Sequence, residues 1–276
     1  MRKETRTVVC NELQMEAYRL VGIERPFPNH FHEYYVIGYV ESGERMLSCK
    51  GNKYRIGKGD IILLNPGDNH ACVQSDGSAF DYWGFNISKS AMLKLVEKEA
   101  KSSELPGFSK NIICDDDIAC RFHALHEQIM RAPLDSWKER LSLLVSELLQ
   151  NYGRVFEIGE ENCSQGIKDA CEFIRRHFHE RIYLNQICRY SGVSKSTLLR
   201  AFIREKGVTP YQYLESLRID EAKVLLGKGI HPVDAAMQMG FSDQSHFTNY
   251  FTRFIGFSPS AYYNRVFDKE TKRNGA

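Results

Sequence analysis

His30 and His32 stand two residues apart and His70 follows a Pro-Gly turn, so on extended segments two imidazoles share one face and a third can come round to meet them. Converging imidazole nitrogens ligate a transition metal or bond the polar groups of an organic molecule. Tyr35, Tyr82 and Trp83 add rings whose flat faces stack on a ligand while their polar tips fix its orientation. Each of these six residues also suits ordinary core packing. The eight cysteines, at 10, 49, 72, 114, 120, 163, 171 and 188, include no C-x-x-C pair, and they are read as reduced, mostly buried thiols without a metal or redox role.

These side chains need a scaffold, and residues 30 to 87 supply short strands broken by Gly, Asn, Asp and Pro: HEYYVIGYV, RMLSCKG, NKYRIG, DIILLN, ACVQ and FDYWGFNI. Their spacing suits a barrel or sandwich. Around Asp117 the period changes to that of a helix, with Ile118, Phe122, Leu125 and Ile129 on one face. After Pro133 a second helix is expected through Leu134, Trp137, Leu141, Leu144, Val145, Leu148 and Leu149. Its apolar stripe suits either the barrel or a second subunit. Residues 153 to 166, acidic and without a sustained period, read as a linker. From Ile167 onward the pattern is helical.

At 276 residues and 42% hydrophobic, the chain is expected to form about two domains. Charges stand at the N-terminus where a signal peptide needs an apolar stretch, and no apolar run long enough for a bilayer occurs, so a cytoplasmic location with no membrane partner is expected. The formal charge of +2 hides an asymmetry: from Gln165 onward 17 Lys/Arg face 11 Asp/Glu, a net of +6, leaving 20 against 24, or −4, before it. One module suited to phosphates is joined to one that is not.

The basic part contains one pattern written twice, about 48 residues apart. Ile187 and Cys188 lie on a short helix stopped by Gly192; Ser194 follows, then Leu198 and Phe202 on a second helix, then Gly207, Pro210 and Tyr213. The second copy runs Val233, Ala236, Gly240, Ser242, Phe247, Phe251, Gly256, Pro259 and Tyr262. Each is a helix-turn-helix, with a small residue for close approach, a glycine for the turn and Ser194 or Ser242 to cap the second helix. The apolar residues of each second helix face the core, so its polar side chains face outward, where a major groove would lie. The helix after Pro210, PYQYLESLRIDEAKVLLGKG, would hold the two reading helices for successive grooves, roughly 34 Å apart.

The segments LNQICRYSGVSKSTLLRAFIREKGVTPYQYLESLRIDEAKVLL and MGFSDQSHFTNYFTRFIGFSPSAY closely resemble the AraC/XylS family of bacterial transcription regulators, over about residues 167 to 266. The resemblance implies a seven-helix DNA-binding domain with two reading helices. By position it assigns Ser196, Leu199 and Arg200 to bases in the first, with Lys195 near the backbone, and Gln244, Ser245, Thr248 and Asn249 in the second. Asn249 stands where many members carry Arg, Leu199 offers only apolar contact, and Tyr263 replaces the usual Arg after the final aromatic. Arg200 is the leading residue for direct readout, because a guanidinium bonds guanine bidentately.

PNHFHEYYVIGYVESG and GKGDIILLNPGDNH resemble the arabinose-binding-like cupin domain of many members of that family, over about residues 25 to 90. Metal-binding cupins supply two His and a Glu from the first motif and a third His from the second. Here Tyr35, Val36 and Ile37 stand where the acidic ligand belongs, and Glu33 would point the other way. No metal and no cofactor are therefore expected; His30, His32, Tyr35, His70, Tyr82 and Trp83 are assigned to an organic effector.

The expected architecture is α+β and multidomain: a cupin-like effector-binding barrel over 1–115, a helical dimerisation segment over 116–152, a linker over 153–166, and an all-α domain with two helix-turn-helix motifs over 167–276. The expected function is that of a sequence-specific, ligand-responsive transcription activator rather than an enzyme. Its partners would be double-stranded promoter DNA, a small polar effector such as a sugar, a second copy of the chain and RNA polymerase. A metal-dependent cupin enzyme with a DNA-binding tail is the rival reading, and a protein-binding role the third.

Overall fold

The computed structural model describes residues 5–10, 15–74, 77–96, 105–131, 138–155 and 163–273. The chain divides into two units: Met1–Pro26, Glu33–Asp68 and Cys72–Glu157 form the first, and Phe27–His32, Asn69–Ala71 and Ile158–Ala276 the second.

Six of the strands are those the sequence indicates: β4 (Tyr35–Ser42), β5 (Arg45–Cys49), β6 (Asn52–Ile56), β7 (Ile61–Leu64), β8 (His70–Gln74) and β9 (Phe80–Ile87). Before them run β1 (Thr5–Cys10), β2 (Met15–Ile23) and β3 (Phe27–His30), which sequence patterning does not mark. β2 hides because Glu16, Tyr18 and Arg19 interrupt its apolar alternation, yet it lies beside β9 inside the larger sheet. That sheet has the order β1-β2-β9-β4-β7-β11, with β11 spanning Ile112–Ile113; the second has the order β3-β8-β5-β6. These two sheets make up the sheet-rich N-terminal part expected as a cupin-like barrel.

The register of β4 on β9 sorts the side chains of the larger sheet. Ile37 opposite Phe85 and Tyr39 opposite Trp83 share one face; Gly38 opposite Gly84 lies on the other. The first face packs against α1 (Lys89–Val96), α2 (Asp116–Arg131) and α3 (Lys138–Tyr152) in one hydrophobic core. Ile118, Phe122, Leu125 and Ile129 of α2 are buried there, as the helical spacing predicts. The stripe of α3 follows: Leu141, Leu144, Val145 and Leu148 are all buried in this core, whereas Leu143 stays 67% exposed. Leu134 and Trp137 lie outside the described residues.

The Pro-Gly turn after β7 is tied down by amides and a carboxylate. Asp68 accepts from the Asn65 backbone N–H at 3.0 Å, and Asn65 exchanges bonds with the Phe108 backbone at 2.7 and 3.0 Å. Part of the expected linker is ordered: Gly153–Val155 (β12) pairs with Pro106–Phe108 (β10), satisfying backbone groups that patterning alone leaves open. Residues 156–162 lie outside the description, and Ser164 stands at the N-cap of α4.

Among its described residues the second unit contains seven helices: α4 (Gln165–His177), α5 (Leu184–Ser191), α6 (Lys195–Lys206), α7 (Pro210–Gly227), α8 (Pro232–Gln238), α9 (Gln244–Ile255) and α10 (Pro259–Arg273). α7 is the axis. Thr209 caps it and Pro210 opens it; Tyr213, Leu214, Leu217, Ala222 and Leu226 are buried along it. It touches α6 on one side and α9 on another. Its Arg218 is buried and donates to the Phe178 and Glu180 carbonyls, both at 2.7 Å, tying the end of α4 to the axis.

Candidate nucleic-acid interface and effector site

The two helix-turn-helix units are α5–α6 and α8–α9. Gly192 ends α5 at φ 66° and Ser194 caps α6, accepting from the Thr197 N–H at 3.4 Å. In the second unit Gly240 takes φ 70°, and a Cβ there would lie 2.7 Å from the His179 carbonyl oxygen, so both conformation and space demand glycine. The cap of α9 is not Ser242 but Asp243, which accepts from the His246 N–H at 2.7 Å; the Ser242 hydroxyl donates to Asp243 instead. The reason is in the spacing. Ser194 precedes Leu198 by four residues and Ser242 precedes Phe247 by five, so the second turn carries one extra residue and the capping position moves to Asp243.

Each reading helix is two-faced. Leu198, Ala201 and Phe202 of α6 are buried, as are Phe247, Phe251 and Phe254 of α9. On α6, Lys195, Ser196 and Arg200 are exposed and Leu199 is half-buried. On α9, Gln244, Ser245 and Asn249 are exposed and Thr248 is half-buried, its carbonyl accepting from the Thr252 hydroxyl at 2.7 Å. Arg200 lies along its own helix, with Nε 3.3 Å from the Ser196 carbonyl, which leaves most of its fork outward. His246 packs rather than projects: its ring lies 4.7 Å from Tyr250 and 5.7 Å from Phe241.

The six residues assigned to an effector separate into three places. Tyr35 is fully buried on the helix-covered face of β4, where its hydroxyl donates to the Pro106 carbonyl at 2.6 Å. Trp83 is on the same face, between Arg19, whose guanidinium carbon is 4.1 Å from the ring centroid, and His123 and His126 of α2.

Tyr82 lies on the opposite face, its ring stacked on Phe80 with centroids 5.9 Å apart. Beside it stands Tyr18, with ring centroids 5.9 Å apart. The two phenols fill the space over the paired glycines: a Cβ on Gly38 would fall 1.8 Å from the Tyr82 oxygen, and one on Gly84 2.4 Å from the Tyr18 oxygen. Glu16 and Asn86 share this face and bond each other at 2.8 Å. Both tyrosines keep part of their surface accessible, while burial raises their phenol pKa well above the ordinary value. The signal available in sequence was a glycine inside each of two strands, a mark of close approach.

His30, His32 and His70 form the third place, in the second unit. All three are buried, with one ring nitrogen from each within 4.8 Å of the others. His30 Nδ1 lies 2.6 Å from the Pro28 carbonyl oxygen, His30 Nε2 lies 3.1 Å from His32 Nε2, and His32 Nδ1 lies 3.1 Å from an Asp220 carboxylate oxygen of α7. Burial, and then the two neighbouring imidazoles, lower the His30 pKa well below its ordinary value. The His30 ring also stacks on Phe254, centroids 5.0 Å apart.

A sheet-rich unit joined to seven helices, two of which turn polar side chains outward as the second helices of helix-turn-helix pairs, is the architecture of a DNA-binding regulator with a sensing domain. Comparison with known proteins agrees: residues 13–151 match the AraC-like ligand binding domain, and residues 187–265 match a helix-turn-helix domain. The chain belongs to the AraC family of helix-turn-helix transcriptional regulators. It is 43% identical over 249 residues to the regulator YbfI of Bacillus subtilis, covering 89% of this chain and 90% of that one. It is 24% identical over 239 residues to the transcriptional activator RhaS of Escherichia coli, covering 84% and 86%. With the lactose operon transcription activator of Staphylococcus xylosus it shares 24% over 256 residues, covering 87% and 89%. In fold it is similar to an apo form of ToxT from Vibrio cholerae, with TM-score 0.60 at 14% identity, covering 93% of this chain and 99% of that one. Another ToxT structure, with TM-score 0.54 at 16% identity, carries an unsaturated fatty acid. No helix among the described residues is long and apolar enough to cross a membrane.

Proposed function

We propose that this regulator is a ligand-responsive, cytoplasmic activator, that α6 and α9 enter successive major grooves of promoter DNA, and that Lys195, Ser196, Leu199, Arg200, Gln244, Ser245, Thr248 and Asn249 make its contacts. The observation that carries this reading is the outward polar face on both second helices, opposite fully buried Leu198, Phe202, Phe247 and Phe251. Arg200 reads guanine through its planar fork, Gln244 reads adenine, and Lys195 neutralises a phosphate. The effector is a small polyhydroxylated molecule of the sugar class. It binds against the Tyr18 and Tyr82 hydroxyls, Glu16 and Asn86, which offer donors and acceptors on the face of the larger sheet opposite the helix-covered one. The chain acts as a dimer through the α2–α3 segment, where Leu143 stands exposed. Sugar binding biases the arrangement of the reading helices by its differential affinity for two states, and the DNA-bound state contacts RNA polymerase.

The test is operator binding, with DNA from upstream of the chain's own gene and a scrambled competitor at fixed salt. Arg200→Ala is expected to reduce discrimination by roughly 1–3 kcal/mol, and Arg200→Lys to restore little of it. Lys195→Ala is expected to weaken operator and competitor alike. Undiminished selectivity in an Arg200→Ala, Gln244→Ala double variant sinks the reading.

A further inference from the structure

The histidine cluster has a hydrogen-bonding pattern that needs a cation. A carbonyl oxygen only accepts, so the Pro28 oxygen at 2.6 Å takes the proton of His30 Nδ1. The Asp220 carboxylate at 3.1 Å likewise takes the proton of His32 Nδ1. Each ring then presents Nε2 as its lone pair, and these two atoms face each other at 3.1 Å. Two acceptors at that separation are reconciled by a proton, which serves two rings, or by a metal ion, which can use a third. His70 supplies the third, its ring centroid 4.4 Å from that of His30 and 5.4 Å from that of His32.

We propose that His30, His32 and His70 bind one divalent transition-metal ion of the kind that prefers imidazole, with zinc as the reference, and that Asp220 positions His32 through its Nδ1 proton. Ligands at about 2.0–2.1 Å from zinc stand roughly 3.3 Å apart in a tetrahedral set, so the His30–His32 pair is already at ligand spacing, and closing His70 onto it takes at most about 1.5 Å. A carboxylate holding the far nitrogen of a ligating histidine fixes its tautomer and raises its donor strength. The stacked Phe254 ring gives the site an apolar wall. The missing acidic residue near His32, which argues against metal in the sequence, is no obstacle: three imidazoles complete the protein's share of an open site, and the carboxylate arrives from α7 as a support. None of these residues is among those assigned to DNA.

The experiment is titration of full-length, EDTA-stripped protein with Co2+, a spectroscopic stand-in for zinc. One equivalent per chain is expected, giving visible d–d bands without thiolate charge transfer. His30→Gln and His70→Gln are expected to abolish the bands, and Asp220→Asn to weaken binding about 10- to 100-fold. Unchanged bands in His70→Gln, or no uptake by the wild-type protein, overturn the proposal. Cys114 and Cys120 are exposed thiols, so a thiolate band that disappears when they are changed to Ser overturns it too. X-ray absorption of the zinc-loaded wild-type protein needs no variant to fold: a nitrogen shell at about 2.0–2.1 Å with imidazole scattering supports the site, and sulfur at about 2.3 Å refutes it.

Discussion

Lowering the pH from 7 to 5 should destabilise the first unit through one residue, His126. Its ring is fully buried on α2, with Nε2 3.0 Å from the Tyr18 carbonyl oxygen and Nδ1 3.4 Å from Nε of Arg19. The carbonyl accepts and the guanidinium donates, so Nε2 carries the proton and Nδ1 must stay bare. Burial first, then the Arg19 charge, lower its pKa from 6.5 to about 3, with His123 adding to the effect. The unfolded chain takes up a proton as the pH falls through 6.5; the folded chain resists until about 3. This stability is therefore complete above pH 6.5 and lost progressively below it. Between pH 7 and 5 the loss is roughly 2 kcal/mol, a large part of an ordinary domain's margin. His126→Gln keeps a donor for Tyr18 and an acceptor for Arg19 but does not titrate. Denaturant unfolding of both proteins, followed by tryptophan fluorescence, separates this contribution from that of other groups. Trp83, whose ring centroid lies 5.3 Å from that of His126, reports on the site. The wild type should lose roughly 2 kcal/mol more than the variant over that interval. Equal losses would refute the assignment of a bare Nδ1.

Two further outcomes follow from local geometry. Asp243→Ala, which removes the 2.7 Å cap of α9, should cost about 1 kcal/mol in thermal unfolding, and Ser194→Ala, at 3.4 Å, less than that; the reverse order contradicts the shifted cap. Gly38→Ala should cost about 1–3 kcal/mol by driving its methyl into the Tyr82 phenol. Placed in a Tyr82→Ala background, the same change should cost much less, and additivity of the two in a double-mutant cycle contradicts the close approach.

The tandem helix-turn-helix was legible because its determinants are local. A glycine that must adopt positive φ, a cap and an apolar residue every third or fourth position act within a turn or two of themselves, so two copies with matched spacing reveal the helices and their buried faces. Six strands were legible for the same reason, through alternation and turn residues. The pairing of sheets was not. β2 reads as a mixed segment, and its place beside β9 depends on backbone partners 57 to 72 residues away. Nor could composition divide neighbouring Tyr82 and Trp83 between the two faces of the sheet, since a strand puts successive side chains on opposite faces and only the sheet's partners say which face the helices cover. The extra residue before Phe247 was present in the sequence, but its effect on the cap appears only once α8 and α9 are built. Asp220 lies 188 residues from His32. Local sequence therefore determined the helices, turns and buried helix faces, whereas tertiary structure alone decided which distant side chains met, because such contacts depend on chain closure over long separations rather than on any residue's own preference.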